Sequence, residues 1–251
     1  MSGGAQSERV EFPSRRGARL IGCWHRGAGH AAVILCHGME ACKEGTKSVR
    51  MAEGLAALGI DALRFDFSYV GESEGEFLDL TVSGEVEDLA GAWAFARRRA
   101  GGPIGLIGSS LGGTVALLFA AQEPAVAALA TIAAVAYPGR RARALPASER
   151  ERWRREGSYD LFGIRVGAAF LDDVERLDVP AALGSVRCPV LLTHGTADDV
   201  VPCSDADEIA ARVGGTVSVR RYAGADHRFS DPRLLDRLLA DLVEWTAGAL
   251  R

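Results

Sequence analysis

Residues 104–114 read IGLIGSSLGGT, and this stretch decides the fold. The apolar run at residues 104–107 has the composition of a buried strand, and the run that begins at Thr114 has that of a helix. Between them lies Gly108-Ser109-Ser110-Leu111-Gly112, which has the form G-x-S-x-G. Glycines two positions to either side of a serine allow a turn too tight for larger side chains. The pattern therefore predicts a serine presented on a sharp strand-to-helix turn.

The spacing of this motif selects Ser110 as the candidate nucleophile, because Ser109 would need a glycine where Ile107 stands. A serine hydroxyl is a poor nucleophile at neutral pH unless a base is positioned beside it. In proteins with this turn, an acid and then a histidine follow the serine along the chain. Only two of the five histidines, His194 and His227, follow Ser110.

We predict that His227 is the base, because it follows a strand pattern and lies in a glycine-bounded loop. His194 is less suitable, since it ends a strand and has no acid between it and the serine. The acid is expected in the loop after the preceding strand, where Asp198 is the first choice and Asp199 the reserve. Such a carboxylate holds the tautomer of the imidazole and stabilises the imidazolium that forms.

An oxyanion hole would complete this site. One donor is expected to be the backbone N–H of Leu111, directly after the nucleophile. The second is expected from the loop after the strand that ends at Cys36, where the N–H of Met39 is available. The neighbouring His37 is interpreted as structural, with its ring bonded to loop backbone.

Strand and helix patterns alternate along most of the chain. Strands are predicted at residues 9–12, 18–25, 31–36, 60–67, 104–108, 126–135, 188–194 and 216–222. Helices are predicted at residues 46–58, 81–100, 110–122, 204–213 and 231–249. This alternation predicts an α/β fold in which helices cover both faces of a parallel sheet.

Residues 137–184 break the alternation. They show no strand pattern, and a helix is predicted at residues 147–155. We interpret the segment as a small helical cap over the C-terminal edge of the sheet, where open α/β sheets bind ligands. Its aromatic residues could line a pocket or form the core of the cap: Trp153, Tyr159, Phe162 and Phe170. Its arginines could attract a carboxylate or phosphate, or form a solvated face balanced by nearby acids: Arg140, Arg141, Arg143, Arg150, Arg152, Arg154 and Arg155.

Composition narrows the functional class. The 251 residues carry a net charge of −4, and the isoelectric point is near 5.8. Because the protein has no net positive charge to attract phosphates, nucleic acid is not expected as its main partner. The longest apolar run, residues 125–137, is too short to cross a bilayer, and residues 1–6 lack the order of a signal peptide. The five cysteines form no C-x-x-C pair.

We expect one domain over residues 1–251, a cytoplasmic location and a small-molecule substrate. The oligomeric state is open between a monomer and a homodimer.

Five motifs together resemble a known family: HGME (37–40), RFDFSYVGESEG (64–75), GSSLGG (108–113), HGTADDVVP (194–202) and GADHRF (224–229). The chain resembles bacterial α/β-hydrolases, and most of all the small-cap esterases that include feruloyl and cinnamoyl esterases. The resemblance implies an eight-stranded, mostly parallel sheet and no metal or cofactor. One departure concerns the turn after Phe67, where Ser68-Tyr69-Val70-Gly71 replaces an arginine–glycine–histidine–glycine sequence common in relatives.

These features predict a carboxylic ester hydrolase that works through an acyl-enzyme intermediate. A serine peptidase of the prolyl-oligopeptidase kind and an acyl thioesterase use the same residues and remain alternatives. A binding protein that has the hydrolase fold without catalysis is an alternative from another class.

Overall fold

The computed structural model describes residues 7–161 and 163–251. Two sets of residues named above lie outside these ranges: the cap aromatic Phe162, and residues 1–6, whose sequence lacks the order of a signal peptide. Within the described part of the chain, no helix is both long enough and apolar enough to cross a membrane.

Eight strands form one twisted sheet, and a separate hairpin contributes two more. The strands are β1 (Ser7–Pro13), β2 (Arg19–His25), β3 (Ala32–Cys36), β4 (Asp61–Phe65), β5 (Ile104–Ser109), β6 (Val126–Ile132), β7 (Ser158–Asp160), β8 (Arg165–Gly167), β9 (Val190–Gly195) and β10 (Val217–Tyr222). The order in the large sheet is β1-β2-β4-β3-β5-β6-β9-β10. Strand β2 pairs antiparallel with β1 and β4, and the pairs from β4 to β10 are parallel. The predicted eight-stranded, mostly parallel sheet is confirmed.

Helices follow most strands of the sheet. They are α1 (Thr46–Ala57), α2 (Val82–Arg99), α3 (Leu111–Gln122), α4 (Arg140–Arg143), α5 (Ala147–Glu156), α6 (Ala168–Arg176), α7 (Val179–Leu183), α8 (Asp205–Ala210) and α9 (Pro232–Ala249). The longest two begin at side-chain caps. Thr81 accepts the N–H of Gly84 at α2, and Asp231 accepts two N–H groups at α9, where proline fills the first turn.

Alternate residues of the central strands enter two separate cores. On β3, Ile34 packs into the core that includes Leu89 of α2 and Val115 of α3. Its neighbour Leu35 packs into the opposite core, which includes Leu55 of α1. Both faces are therefore buried, which explains why the sequence of this strand is a continuous apolar run rather than an alternating one.

The segment between β6 and β9 contains helices α4 to α7 and the β7–β8 hairpin. The predicted helix at residues 147–155 corresponds to α5, but the expectation of no strand in this segment is wrong. Each hairpin strand has three residues, too few to show an alternating pattern. The turn between them is closed by Asp160 Oδ1, which accepts the N–H of Gly163 at 2.6 Å. The treatment of residues 137–184 as a single cap insertion stays a prediction.

Two of the cap aromatics form a core within this segment. Trp153 is fully buried, and its indole N–H donates to the carbonyl oxygen of Val166 at 3.0 Å. Its ring stacks on Tyr159 with 5.2 Å between centroids. These two residues therefore stabilise the cap. Phe170 is also buried, but it lines the cavity described below.

Candidate active site

Ser110 lies on the sharp turn between β5 and α3. Its backbone has φ +53° and ψ −121°, a left-handed conformation that side chains with a Cβ rarely adopt. The Ser110 N–H donates to the carbonyl oxygen of Ile132 on β6 at 2.8 Å, which anchors the turn to the neighbouring strand. Strain of this kind persists only where the surrounding structure over-determines it, and it is typical of a nucleophile elbow.

The two glycines of the motif are required by close backbone contacts. A Cβ on Gly108 would lie 2.4 Å from the carbonyl oxygen of Gly112. A Cβ on Gly112 would lie 2.2 Å from the carbonyl oxygen of His37. The first contact closes the turn itself. The second brings the start of α3 against the loop after β3, so that the two predicted oxyanion-hole segments are neighbours.

The structure brings the three predicted side chains together from three loops. His227 Nε2 lies 3.1 Å from Ser110 Oγ, and His227 Nδ1 lies 2.7 Å from Asp198 Oδ2. The side chain of Asp198 has no exposed surface, whereas that of His227 is 16% exposed. Because a carboxylate can only accept, Nδ1 carries the proton and Nε2 is free to accept the serine proton. The arrangement has the geometry of an activated nucleophile.

Direct hydrogen bonds hold together the loops that carry the acid and the histidine. The N–H of Thr196 donates to the carbonyl of Tyr222, and the N–H of Ala197 donates to that of Ala225, both at 3.0 Å. In return, the N–H of Gly224 donates to Thr196 Oγ1 at 2.9 Å. The loops after the adjacent strands β9 and β10 thus form one unit, which fixes the distance between the carboxylate and the imidazole.

Asp198 is held by four donors, which distinguishes it from Asp199. Its Oδ1 accepts the N–H groups of Val200 and Val201 at 2.9 and 2.8 Å. Its Oδ2 lies 3.2 Å from His194 Nε2, in addition to its contact with His227. Burial alone would raise the pKa of Asp198, but these hydrogen bonds outweigh it and hold the pKa well below its usual value.

His194, which the sequence pattern does not favour as the base, also belongs to the site. Its ring is buried, and Nε2 lies 3.0 Å from the carbonyl oxygen of Val201 as well as near Asp198. Both partners are acceptors, so Nε2 carries a proton and donates to them. His194 therefore orients the acid rather than acting as a base. The sequence feature that could have indicated this contact is the spacing, since His194 lies four residues before Asp198 in the same turn.

Asp199 and Asp226 take other positions. Asp199 is exposed and has none of the contacts of Asp198. Asp226 Oδ1 accepts the N–H of Ser230 at 2.8 Å, which organises the loop after His227 without reaching its Nδ1. Of the three nearby carboxylates, only Asp198 contacts the imidazole.

The loop after β3 carries Met39 and is fixed by His37. The Nε2 atom of His37 accepts the N–H of Phe67 at 3.1 Å, so Nδ1 is protonated and donates to the carbonyl of Gly38 at 2.9 Å. Burial lowers the pKa of His37, which keeps the ring neutral. A Cβ on Gly38 would lie 3.2 Å from Ser110 Cβ, so this loop passes directly beside Ser110.

A buried ion pair secures the same loop on its far side. Lys43 Nζ lies 2.9 Å from Asp66 Oδ2 and 2.5 Å from Glu72 Oε2. The N–H of Lys43 also donates to Asp66 Oδ1 at 2.7 Å. Burial alone would lower the pKa of Lys43, but the two carboxylates raise it above its usual value. No local pattern in the sequence predicts this pair, because its members lie on separate loops 23 residues apart.

A cavity of about 910 Å³ opens onto the serine and the histidine. Met39 and Leu111 line it beside Ser110, on the side of the sheet. Apolar residues of the cap segment line it as well: Leu161, Ile164, Val166 and Phe170. Among the described residues, no group of three or more histidine, cysteine or acidic side chains could hold a metal ion. Ser110 and His227 thus share one cavity with these apolar residues of the cap segment.

Comparison with known proteins assigns the family. Residues 27–155, just over half of the chain, match the Hydrolase_4 family model, described as serine aminopeptidase, S33. The chain belongs to this α/β-hydrolase family. The hydrolase is also 30% identical over 225 residues to the mitochondrial palmitoyl-protein thioesterase ABHD10 of Bos taurus, an alignment that covers 84% of this chain and 72% of the bovine protein.

Solved structures share the fold of this hydrolase over nearly its whole length. Est1E from Butyrivibrio proteoclasticus with bound ferulic acid gives a TM-score of 0.86 at 20% identity, covering 96% of this chain and 99% of Est1E. Mouse α/β-hydrolase domain-containing protein 10 gives 0.82 at 26% identity, covering 96% and 99%. The expected resemblance to esterase-like α/β-hydrolases is confirmed. The family makes the chain a hydrolytic enzyme, which removes the non-catalytic alternative.

Proposed function

We propose that this hydrolase cleaves carboxylic esters through an acyl-enzyme intermediate on Ser110. The observation that carries the proposal is the continuous chain of hydrogen bonds from Ser110 Oγ through His227 to Asp198, at 3.1 and 2.7 Å. In this arrangement His227 is the general base, and Asp198 holds it in the tautomer whose Nε2 accepts a proton. No metal or cofactor takes part in these steps.

The first half of the reaction forms the acyl-enzyme. Ser110 Oγ attacks the acyl carbonyl carbon while its proton passes to His227 Nε2, and the carbonyl oxygen becomes a tetrahedral oxyanion. The oxyanion then collapses, the bond to the alcohol oxygen breaks, and His227 gives its proton to the leaving alcohol. In the second half, water loses a proton to His227 and attacks the acyl carbon, and the acid leaves as Ser110 Oγ recovers the proton.

The N–H groups of Met39 and Leu111 would stabilise the oxyanion. Leu111 is the first residue of α3, where a backbone N–H has no partner within the helix. Met39 follows Gly38, which packs against Ser110, and both proposed donors line the cavity. Preorganised donors of this kind matter, because the loss of one costs about a hundred- to a thousandfold in rate.

Hydrolysis of 4-nitrophenyl esters, from acetyl to palmitoyl, tests the proposal. We expect the wild type to hydrolyse at least part of the series, and Ser110→Ala to lose this activity while it keeps the wild-type melting temperature. Ser109→Ala is the matched control, since Ser109 neighbours the nucleophile in sequence and should remain active. Esterase activity that persists in Ser110→Ala would overturn the assignment.

An acyl thioester is the second candidate substrate. It is favoured by the similarity to the bovine palmitoyl-protein thioesterase and by the apolar cap wall, which suits an acyl chain. The same residues would cleave it, with a thiol as the leaving group. S-acyl thiocholines matched in chain length to the esters separate the two substrates, and an aminoacyl 4-nitroanilide tests the peptidase alternative. The substrate with the highest kcat/KM at equal acyl length identifies the preferred bond.

A further inference from the structure

The charged side chains that line the cavity are mostly cationic. Among the described residues that line it, one is acidic, Glu40, and it is exposed. Four are basic: Lys47, Arg140, Arg141 and Arg228. Asp198 lies behind His227 and is committed to its own four donors. The protein as a whole has a net charge of −4, so the excess of cations is a property of this cavity and not of the whole surface.

The arginines of the cap segment are less available to a ligand, because they already bond to carboxylates or carbonyl oxygens of the protein. Arg140 forms a bidentate salt bridge with the buried carboxylate of Asp205, and its guanidinium lies over the ring of Tyr137. Arg141 donates to the carbonyl oxygen of Val200 at 3.2 Å. The other cap arginines lie outside the cavity, and most of them pair with acids or carbonyls: Arg143, Arg150, Arg152 and Arg154.

Lys47 differs from them because its side chain has neither an ion-pair partner nor a hydrogen-bond partner among the described residues. It lies in the first turn of α1, lines the cavity that holds the nucleophile, and has its Nζ 5.9 Å from the centroid of the Phe229 ring. Burial lowers its pKa, and the charges of Asp226 and Asp198 act on it only from a distance. A largely buried ammonium without a carboxylate partner is costly unless something else supplies a negative charge.

Arg228 is the second unpaired cation of the cavity. It directly follows His227 and is exposed at the same opening. No carboxylate in the described ranges forms an ion pair with it. With Glu40 as the one acidic residue among the described residues that line the cavity, Lys47 and Arg228 leave an excess of positive charge in the cavity that holds Ser110. That charge matches a monoanion better than a neutral ligand.

We propose that Lys47 and Arg228 bind a carboxylate carried by the ester substrate, so that the enzyme prefers esters with an anionic group over neutral esters of the same shape. This inference rests on the proposed ester hydrolysis. It assigns substrate selection to two residues of the sheet domain, outside the arginine-rich cap. The carboxylate would take the place of the missing ion-pair partner of Lys47, and Arg228 would close over it from the solvent side.

Two matched sets of esters test the preference and show which part of the substrate carries the charge. For the acyl side, 4-nitrophenyl hemiesters of succinate, glutarate and adipate are compared with neutral 4-nitrophenyl esters of equal chain length. For the alcohol side, 4-acetoxybenzoate is compared with 4-acetoxytoluene. We expect the wild type to favour the carboxylate in one set by at least about tenfold in kcat/KM, as for one charge-assisted hydrogen bond.

Variants locate the binding group. The preference should fall about tenfold or more in Lys47→Met and in Arg228→Met, and Lys47→Arg should keep part of it. Arg155→Met is the control for total charge, because Arg155 is 71% exposed on the cap and does not line the cavity. The preference is a ratio measured on one preparation, so it does not depend on the folded fraction.

The outcomes are distinct from those of the esterase test. Equal rates for charged and neutral esters in both sets would overturn the inference and leave the esterase assignment intact. A preference that survives in both methionine variants, or that Arg155→Met weakens equally, would also overturn it. Loss of all ester hydrolysis in Ser110→Ala, by contrast, supports the proposed function and does not test the preference for a carboxylate.

Discussion

Replacing Asp198 with asparagine should inactivate the enzyme, because it should move the ring proton of His227 from Nδ1 to Nε2. Two backbone N–H groups, from Val200 and Val201, point at Oδ1, so the amide oxygen must take that position. The amide NH₂ then faces His227 Nδ1, 2.7 Å away in the wild type. A donor at this place forces Nδ1 to accept. The imidazole proton moves to Nε2, which now donates toward Ser110 Oγ and can no longer take its proton.

The expected loss is large and falls on kcat. The same exchange in a serine–histidine–aspartate triad lowers kcat about ten-thousandfold, because geometry is retained while the tautomer is wrong. The side chain of Asp198 is fully buried, and the two backbone N–H groups at Oδ1 can only donate. His227 at Oδ2 can become an acceptor by changing its tautomer, and His194 Nε2 keeps its bond to the carbonyl oxygen of Val201, so the amide oxygen keeps the Oδ1 position. We expect a similar loss of kcat on a short 4-nitrophenyl ester, with KM changed much less. Initial rates with a thermal melting curve on the same preparation measure both.

Asp199→Asn is the matched control, since Asp199 is the exposed neighbour of Asp198 in the same turn. It should keep activity within about twofold, as surface substitutions usually do. Two results would refute the reasoning. One is an Asp198→Asn variant that retains a tenth or more of wild-type kcat. The other is an Asp199→Asn variant that loses as much activity as Asp198→Asn.

Three further predictions concern buried polar groups. His194→Phe removes a donor to Asp198 and should lower kcat about ten- to a hundredfold, measured by initial rates, while His194→Gln restores part of it. Lys43→Met leaves the buried carboxylate of Asp66 without its cation and should lower the free energy of unfolding by about 3–5 kcal/mol in urea titrations. Glu85→Gln should stabilise the protein increasingly as pH rises, by up to about 1.4 kcal/mol per pH unit, measured by urea titrations at several pH values.

The sign of the last effect follows from burial. Glu85 is fully buried, Oε2 has no hydrogen-bond partner, and burial followed by the charge of Asp88 raises its pKa well above the usual value. The folded protein therefore retains a proton that the unfolded chain releases above its own pKa, and wild-type stability falls as pH rises toward the folded pKa. A constant difference between wild type and Glu85→Gln from pH 5 to pH 9 would contradict this account.

Controls for the other two variants come from the same networks. Arg9→Met removes an exposed partner of Glu72 and should cost less than about 1 kcal/mol, which separates the buried pair from surface charge. Equal stability loss in Arg9→Met and Lys43→Met would count against the buried-pair argument. For His194, wild-type kcat in the phenylalanine variant would show that the backbone N–H groups alone hold Asp198.

The sequence could predict the features that depend on local pattern. The central strands β3 and β5 are largely apolar runs, and the elbow has glycines at fixed offsets, so the sequence predicts both. Chain order and loop position pointed to His227 and Asp198, the histidine and carboxylate that the structure places beside Ser110. These features need only neighbouring residues and the general rule that parallel strands end at one edge.

Features that depend on distant partners could not be predicted. Whether a cap arginine is available to a ligand depends on which acid it meets, and Arg140 meets Asp205, 65 positions away. Trp153 and Phe170 look alike in sequence, yet one forms the core of the cap and the other lines the cavity. Tyr69 adopts φ +85°, a conformation that sequence alone would assign to glycine.

The position of the unpaired cations follows from the sheet itself. Strands β3, β5, β9 and β10 run parallel, so the loops that follow them converge at one edge and deliver Met39, Ser110, Asp198 and His227 to one place. The residues that follow these loops are carried to the same edge. Lys47 comes directly after the β3 loop, and Arg228 directly after His227. The same topology that brings Ser110, Asp198 and His227 together therefore carries Lys47 and Arg228 to the same edge, whereas cap arginines such as Arg150 and Arg154 pair with acids of their own segment.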